Sequence, residues 1–152
     1  MAKNDNQSTR VPTGIDGLDE AMSGGFMKNS VNLVAGSPGS GKSIFGMQYL
    51  VNGALKYGEP GVYITFEERA DKLQQYMGEF GWDLKKLEKE NKVSILEQSP
   101  LDIKNATTKE FLGLKYHILK KFKAKRIVID SVSAYSLLFS TDSEKRENPL
   151  VW

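Results

Sequence analysis

The chain of 152 residues contains no cysteine and a single histidine. The lack of cysteine excludes disulfides and thiolate metal sites, and it favours a reducing compartment. The longest apolar runs are only a few residues, much shorter than a helix that spans a bilayer. Residues 1–10 are polar and lack the apolar stretch of a signal peptide. These absences predict a cytoplasmic protein without a membrane segment.

Net charge is also scarce, since 21 basic and 19 acidic residues leave a formal charge of +2. Such a small excess does not indicate a nucleic acid or an acidic membrane as partner. A basic run lies at Lys115, Lys120, Lys121, Lys123, Lys125 and Arg126. We interpret this run as a solvated face, with nucleic-acid contact as the alternative. Length and hydrophobic content predict one folded domain over 11–152, after a flexible tail at 1–10.

Short apolar runs alternate with amphipathic stretches along the chain. The runs predict buried strands at 31–35, 62–65, 93–96 and 126–130. The stretches predict helices over 14–22, 42–57, 70–80, 83–88 and 107–123. This alternation is typical of βαβ units, so we expect an α/β fold with a mostly parallel sheet and helices on both faces.

A glycine-rich segment fits the phosphate-loop pattern G-x-x-x-x-G-K-[ST] at every fixed position. It consists of Gly36, Ser37, Pro38, Gly39, Ser40, Gly41, Lys42 and Ser43. The segment follows a predicted strand and precedes a predicted helix, which is the context that this motif requires. Its backbone N–H groups and the helix dipole favour phosphate oxygens, Lys42 can reach the β- and γ-phosphates, and Ser43 can bind Mg²⁺. The sequence therefore predicts binding of ATP with Mg²⁺.

Acidic residues follow two of the predicted strands. Asp130 ends the strand at 126–130, where P-loop enzymes place an aspartate that holds Mg²⁺, often through water. Glu67 and Glu68 follow the strand at 62–65, and the carboxyl ends of parallel strands are where such folds bind ligands. The pair fits two roles equally well on these grounds: a base for an attacking water, or a solvated cap on the next helix.

The sequence from about Val11 to Leu138 resembles the KaiC-like branch of the RecA-type ATPases. The resemblance rests on several segments in order, of which the phosphate loop is the least specific because many NTPases share it. The others are Pro12 to Asp19, Gly24-Gly25, Thr65-Phe66-Glu67-Glu68, Phe80-Gly81-Trp82-Asp83-Leu84 and Ile129-Asp130-Ser131.

The resemblance implies a RecA-type core, hydrolysis of ATP without a covalent intermediate, and a homo-oligomer, usually a hexameric ring. It also assigns Glu67 and Glu68 as the catalytic carboxylates that activate or polarise the water. Two further interpretations stay open: a non-catalytic module in which ATP controls assembly, and a DNA-binding ATPase of the recombinase kind. The biological role does not follow from the fold.

The chain departs from the family pattern after Asp130. In RecA-type sheets the next strand lies between the strand that ends in the aspartate and the phosphate-loop strand, and this chain offers no match to it. We therefore expect the strands at 31–35 and 127–130 to pair directly, to leave a gap, or to accept a strand from another chain. The ending Glu147 to Trp152 breaks helical character at Asn148-Pro149, and we interpret the domain as an incomplete core.

Overall fold

A computed structural model of the protein describes residues 9–99, 101 and 108–133. The chain begins with a short antiparallel ladder of β1 (Arg10–Val11) and β2 (Phe26–Met27), with the helix α1 (Leu18–Ala21) between them. Most of the predicted tail, residues 1–8, lies outside the described residues, while Arg10 is part of β1.

The main body alternates helices and strands as the sequence predicts. The helices are α2 (Lys42–Lys56), α3 (Ala70–Gly78), α4 (Leu84–Lys89) and α5 (Thr108–Tyr116), the last continued by a π-helical stretch at His117–Lys121. The strands are β3 (Gly61–Thr65), β4 (Val93–Glu97) and β5 (Arg126–Asp130). Within the described part of the chain, no helix is long and apolar enough to cross a bilayer.

The three longer strands form one parallel sheet in the order β4-β3-β5. The register places Thr65 beside Glu97 on one side and beside Asp130 on the other. Since parallel strands end at the same edge, Asp130 and the residues after Thr65 lie together there. The register thus brings the strand ends that precede Glu67 and that contain Asp130 to one edge of the sheet.

Each face of the sheet carries its own apolar cluster. The larger cluster packs α2, α3 and α4 against β3 and β4, with Met47, Leu50, Tyr63 and Val93 among its buried members. The smaller cluster lies on the opposite face, where Val62, Ile64, Ile118 and Phe122 are buried together. Helical residues therefore cover both faces, which confirms the predicted α/β layering.

The strand predicted at 31–35 is wrong. Residues 31–37 have no regular secondary structure, and Val31 and Leu33 are 94% and 82% exposed. A strand requires a neighbour that accepts and donates backbone hydrogen bonds, and among the described residues no strand lies on the side of β5 opposite β3. Of the three expected arrangements, the described residues show no direct pairing of this segment with β5.

The solvated basic face is also wrong at one position, since Arg126 is only 2% exposed. Its guanidinium forms an ion pair with Glu59 at 2.6 Å and donates to the carbonyl oxygens of Tyr49 and Pro12. It also lies over the rings of Tyr49 and Tyr57, at 4.5 and 5.3 Å from their centroids. Because these partners satisfy its charge, a buried arginine joins the start of β5 to α2 and to the N-terminal segment.

A second set of polar contacts fixes the N-terminal segment on the end of α2. The carboxylate of Asp19 accepts hydrogen bonds from the backbone and hydroxyl of Thr13 and from the backbone N–H of Gly14. The carbonyl of Gly14 in turn accepts from the side chains of Asn52 and Lys56. The Pro12-Thr13-Gly14 segment is thereby tied to the last turns of α2.

Candidate phosphate-binding site

The phosphate loop turns sharply before α2 because three of its positions are glycine. Gly39 and Gly41 have φ angles of 78° and 87°, a region that favours glycine. A Cβ at Gly36 would lie 2.5 Å from the hydroxyl oxygen of Ser40, so a larger residue there would require this side chain to move. All residues from 36 to 40 are exposed, which leaves the loop accessible to a ligand.

The start of helix α2 has no side-chain cap and no acidic residue of its own. Gly41 at the N-cap provides no side-chain hydrogen bond, and the first turn contains no acidic residue. Helix α4 is the contrast, since the carboxylate of Asp83 caps it by accepting from the N–H of Lys86. The unpaired N–H groups and the dipole at the start of α2 are suited to an anion such as phosphate.

Lys42 lies at the first position of α2 and folds back over the loop. Its ammonium donates to the carbonyl oxygens of Gly36 and Ser37, both at 2.9 Å. The ammonium therefore lies directly against the loop in which phosphates are expected. A phosphate oxygen can replace these carbonyls as acceptor, with the added attraction of opposite charge.

The next residue links the loop to the sheet. The hydroxyl of Ser43 donates to Oδ2 of Asp130 at 2.6 Å, so the two residues predicted to hold Mg²⁺ lie in direct contact. The close approach depends on Gly46, where a Cβ would lie 2.9 Å from Cγ1 of Val128. A helix with a larger residue at this position could not approach β5 as closely.

Ser43 and Asp130 fit a magnesium ion by their chemistry. Mg²⁺ prefers oxygen ligands, keeps several waters, and is usually held by one or two protein groups together with substrate phosphates. The hydroxyl of Ser43 keeps its lone pairs for a cation while its proton is donated to Asp130. Within the described part of the chain, no group of three or more His, Cys, Asp or Glu forms a metal cage.

Tyr63 is the member of this site that the sequence interpretation missed. Its hydroxyl donates to the same Oδ2 of Asp130 at 2.5 Å. Burial raises the pKa of Tyr63, and the hydrogen bond to the Asp130 carboxylate raises it further, so the phenol remains a donor. In the sequence Tyr63 is one of several large residues in a buried strand, and nothing in that pattern distinguishes its hydroxyl from the ring that carries it.

Glu67 and Glu68 are both exposed at the carboxyl edge of the sheet, but their surroundings differ. Oε1 of Glu67 accepts a hydrogen bond at 3.1 Å from the hydroxyl of Ser131, the residue that directly follows Asp130. At Glu68 the hydrogen bonds involve the backbone, whose N–H and carbonyl both pair with the Thr65 hydroxyl. Of the two carboxylates, Glu67 is therefore the one joined to the end of β5.

The start of α3 is capped by Glu97 and not by Glu67 or Glu68, the alternative role considered for that pair. The backbone N–H of Ala70, at the start of α3, donates to Oε1 of Glu97 at 2.6 Å. A shallow cleft of about 200 Å³ lies at this edge, and the phosphate loop does not line it. Its lining residues are Thr65, Phe66, Glu67, Glu68, Arg69, Glu97, Gln98 and Ser99. The cap on α3 thus comes from β4, which leaves the Glu67 carboxylate directed to Ser131.

Comparison with known proteins identifies the family that the chain is similar to. The family model described as "ATPase: KaiC" matches residues 11–148. The circadian clock oscillator protein KaiC of Prochlorococcus marinus is 41% identical over 135 residues, which cover 84% of this chain and 26% of that protein. A UPF0273 protein of Pyrococcus furiosus is 37% identical over 136 residues, which cover 82% of this chain and 55% of that protein.

Among solved structures, the chain is similar to a KaiC-like protein of Pyrococcus horikoshii. The TM-score is 0.76 at 40% sequence identity, and the match covers 91% of this chain and 60% of that one. The chain thus spans about a quarter of the cyanobacterial KaiC and about half of the archaeal UPF0273 protein. The predicted resemblance and the RecA-type core are confirmed.

Proposed function

The chain belongs to the KaiC family of ATPases, and on that premise we propose that it binds ATP with Mg²⁺ and hydrolyses it. Residues 36–43 bind the phosphates, Ser43 and Asp130 hold the metal, and Glu67 and Glu68 act on the attacking water. The contact that carries the proposal is the hydrogen bond from Ser43 to Asp130, which joins residues 87 positions apart at the start of α2 and the end of β5.

Charge and geometry at the start of α2 support the binding step. The helix end is uncapped, its first turn has no acidic residue, and the Lys42 ammonium lies over the loop. These groups act on a polyanion together, because backbone donors, a dipole and a full positive charge converge on one exposed loop. Magnesium adds the charge neutralisation that phosphoryl transfer requires.

Replacement of the loop lysine tests binding. In Lys42→Ala we expect Mg-ATP binding to be lost in isothermal titration calorimetry, because the charge that faces the phosphates is removed. Lys85→Ala is the matched control, since Lys85 is exposed on α4 and far in sequence from the loop. Equal ATP affinity in the parent chain and Lys42→Ala would show that the loop does not bind nucleotide.

Replacement of the two glutamates tests turnover separately. The double variant Glu67→Gln with Glu68→Gln should bind Mg-ATP like the parent chain but release no phosphate. Because only Glu67 is joined to Ser131 at the end of β5, Glu67→Gln alone should lose more turnover than Glu68→Gln, by about 10²-fold or more. Binding by the parent chain without any phosphate release would instead support the non-catalytic, assembly-controlling alternative.

We also propose that the chain forms a homo-oligomer, as the KaiC-like resemblance implies. The proposal is supported by the apolar side chains of Val31 and Leu33, which are largely exposed and precede the phosphate loop in sequence. Analytical ultracentrifugation with and without Mg-ATP tests it. We expect a larger species with nucleotide, and a monomer under both conditions would contradict assembly.

A further inference from the structure

Tyr63 brings a polar group into the fully buried centre of the sheet. It lies in the middle of β3, between Ile95 of β4 and Val128 of β5, and is 0% exposed. Its ring packs in the apolar cluster beneath α2. A phenylalanine would fill the same space, so packing accounts for the ring and leaves the hydroxyl to be explained.

The hydroxyl of Tyr63 and that of Ser43 donate to one and the same oxygen of Asp130. Both hydrogen bonds end on Oδ2, at 2.5 Å from Tyr63 and 2.6 Å from Ser43. Among the described residues, no group donates to the other oxygen, Oδ1. The described residues therefore hold the carboxylate at one oxygen and donate no hydrogen bond to the other.

We propose that Tyr63 is a positioning residue for magnesium: its hydroxyl fixes the Asp130 carboxylate so that Oδ1 stays available to the ion or to a water bound to it. The inference rests on the proposed function above. Ser43 cannot fill this role alone, because it is only half-buried and its oxygen is itself a proposed ligand. Groups that orient a metal ligand typically affect metal affinity about 10- to 100-fold.

The test compares ATP affinity in EDTA with ATP affinity in excess Mg²⁺, by calorimetry. The dissociation constant in EDTA divided by that in Mg²⁺ measures how much the metal strengthens ATP binding. We expect Tyr63→Phe to bind ATP in EDTA like the parent chain. Its ratio should be about tenfold smaller than that of the parent chain. Tyr76→Phe is the control, since Tyr76 is 56% exposed on α3 and should keep the parent ratio.

Combining Tyr63→Phe with Asp130→Ala tests whether Tyr63 acts through Asp130. In Asp130→Ala the ratio should fall toward one, and adding Tyr63→Phe should change it no further. A merely structural tyrosine would lower affinity in EDTA and in Mg²⁺ alike, and its effect would add to that of Asp130→Ala. If Tyr63→Phe fails to fold, 4-fluorophenylalanine at this position fills the space of the hydroxyl without donating a hydrogen bond.

Two results overturn the inference. One is an unchanged ratio in a folded Tyr63→Phe or 4-fluorophenylalanine variant. The other is an equal loss of affinity with and without Mg²⁺. Failure of the underlying function looks different, because the parent chain would then bind no ATP or Lys42→Ala would bind it normally.

Discussion

Helix α2 and strand β5 are joined at the start and at the end of the strand, and the two junctions differ in kind. At the start of β5, Arg126 is 2% exposed and donates to the carbonyl of Tyr49 in α2. At the end of β5, Asp130 meets Ser43, and both residues are only half-buried beside an exposed loop. The first junction is enclosed by protein, while the second is open to solvent and to a ligand.

The difference shows how one helix can serve stability and binding separately. The enclosed junction has its hydrogen bonds satisfied within the chain, through Glu59, Tyr49 and Pro12. At the open junction the helix end lacks a side-chain cap, and within the described residues Lys42 donates to the loop's own carbonyls. We therefore expect substitutions at the enclosed junction to change the free energy of unfolding, and those at the open junction to change ligand affinity.

The largest expected effect comes from breaking the enclosed junction with Arg126→Met. The substitution removes the ion pair with Glu59 and leaves the carbonyls of Pro12 and Tyr49 without their donor. We expect the free energy of unfolding to fall by about 2–4 kcal/mol, mainly because buried carbonyls lose a donor, since the Glu59 carboxylate is 35% exposed and stays solvated. Urea unfolding followed by circular dichroism measures it.

The control for this variant is Arg69→Ala. Arg69 pairs with Asp71 on the surface, where the two side chains are 72% and 64% exposed. Such pairs contribute about 0–1 kcal/mol. Equal loss of stability in Arg126→Met and Arg69→Ala would contradict the claim that the buried contacts of Arg126 stabilise the fold.

Gly53→Ala attacks the same junction from the side of α2. A Cβ at Gly53 would lie 2.5 Å from Cδ and Nε of Arg126, and the hydrogen bonds of the guanidinium prevent it from moving away. Overpacking costs about 1–3 kcal/mol and the better helix propensity of alanine returns up to about 1 kcal/mol, so we expect a net loss of up to about 2 kcal/mol. Gly78→Ala is matched to it, because no atom lies within 4 Å of its added Cβ.

Gly78→Ala in α3 should raise the free energy of unfolding, whereas Gly53→Ala lowers it. Gly78→Ala adds a methyl group in open space at the end of a helix, and alanine is favoured there by up to about 1 kcal/mol. Thermal unfolding of the two variants beside the parent chain gives the comparison. If both variants shift the melting temperature in the same direction, close contact with Arg126 does not destabilise Gly53→Ala.

Asp19→Asn tests the pH dependence of the segment tied to the end of α2. Burial raises the pKa of Asp19, but hydrogen bonds from Thr13 and Gly14 outweigh it and hold the pKa below the ordinary value of 3.8. A pKa lowered by folding means that the carboxylate stabilises the fold above about pH 4 and that this contribution is lost as the pH falls through the folded-state pKa.

We expect Asp19→Asn to lose about 1–2 kcal/mol at neutral pH, because the amide accepts weaker hydrogen bonds and cannot accept from Gly14 as well as from Thr13. The difference from the parent chain should shrink in acid, below pH 3.8. Asp16→Asn, exposed on the same segment, should match the parent chain throughout. A stability difference independent of pH would mean that charge at Asp19 has no part in it.

The sequence predicts the parts of this fold that depend on local pattern. Helix α2 and strands β3, β4 and β5 are found at their predicted places because period and burial agree along each segment. Asp130 was predicted from its place after an apolar strand, and the structure brings it to Ser43. Both predictions use information that lies within a few residues of each position.

The features that the sequence did not predict depend on distant neighbours. Val31 to Ala35 has the composition of a strand, but no described strand pairs with it. Arg126 is one basic residue among six in its region, and only Glu59 and Pro12, far away in sequence, explain its burial. Tyr63 likewise acquires its hydrogen bond from Asp130, 67 positions further along the chain.

The smallest effect on stability is expected at the open junction, in Ser43→Ala. The variant removes one hydrogen bond to Asp130, but the hydroxyl of Tyr63 still donates to the same oxygen, so no buried acceptor is left unpaired. The free energy of unfolding should therefore change by less than about 1 kcal/mol. The same variant keeps the backbone N–H groups that face the phosphates, so it should bind ATP in EDTA nearly like the parent chain and gain little from Mg²⁺, since it has lost a proposed metal ligand. A loss of stability as large as that of Arg126→Met would show that the two junctions serve the same purpose.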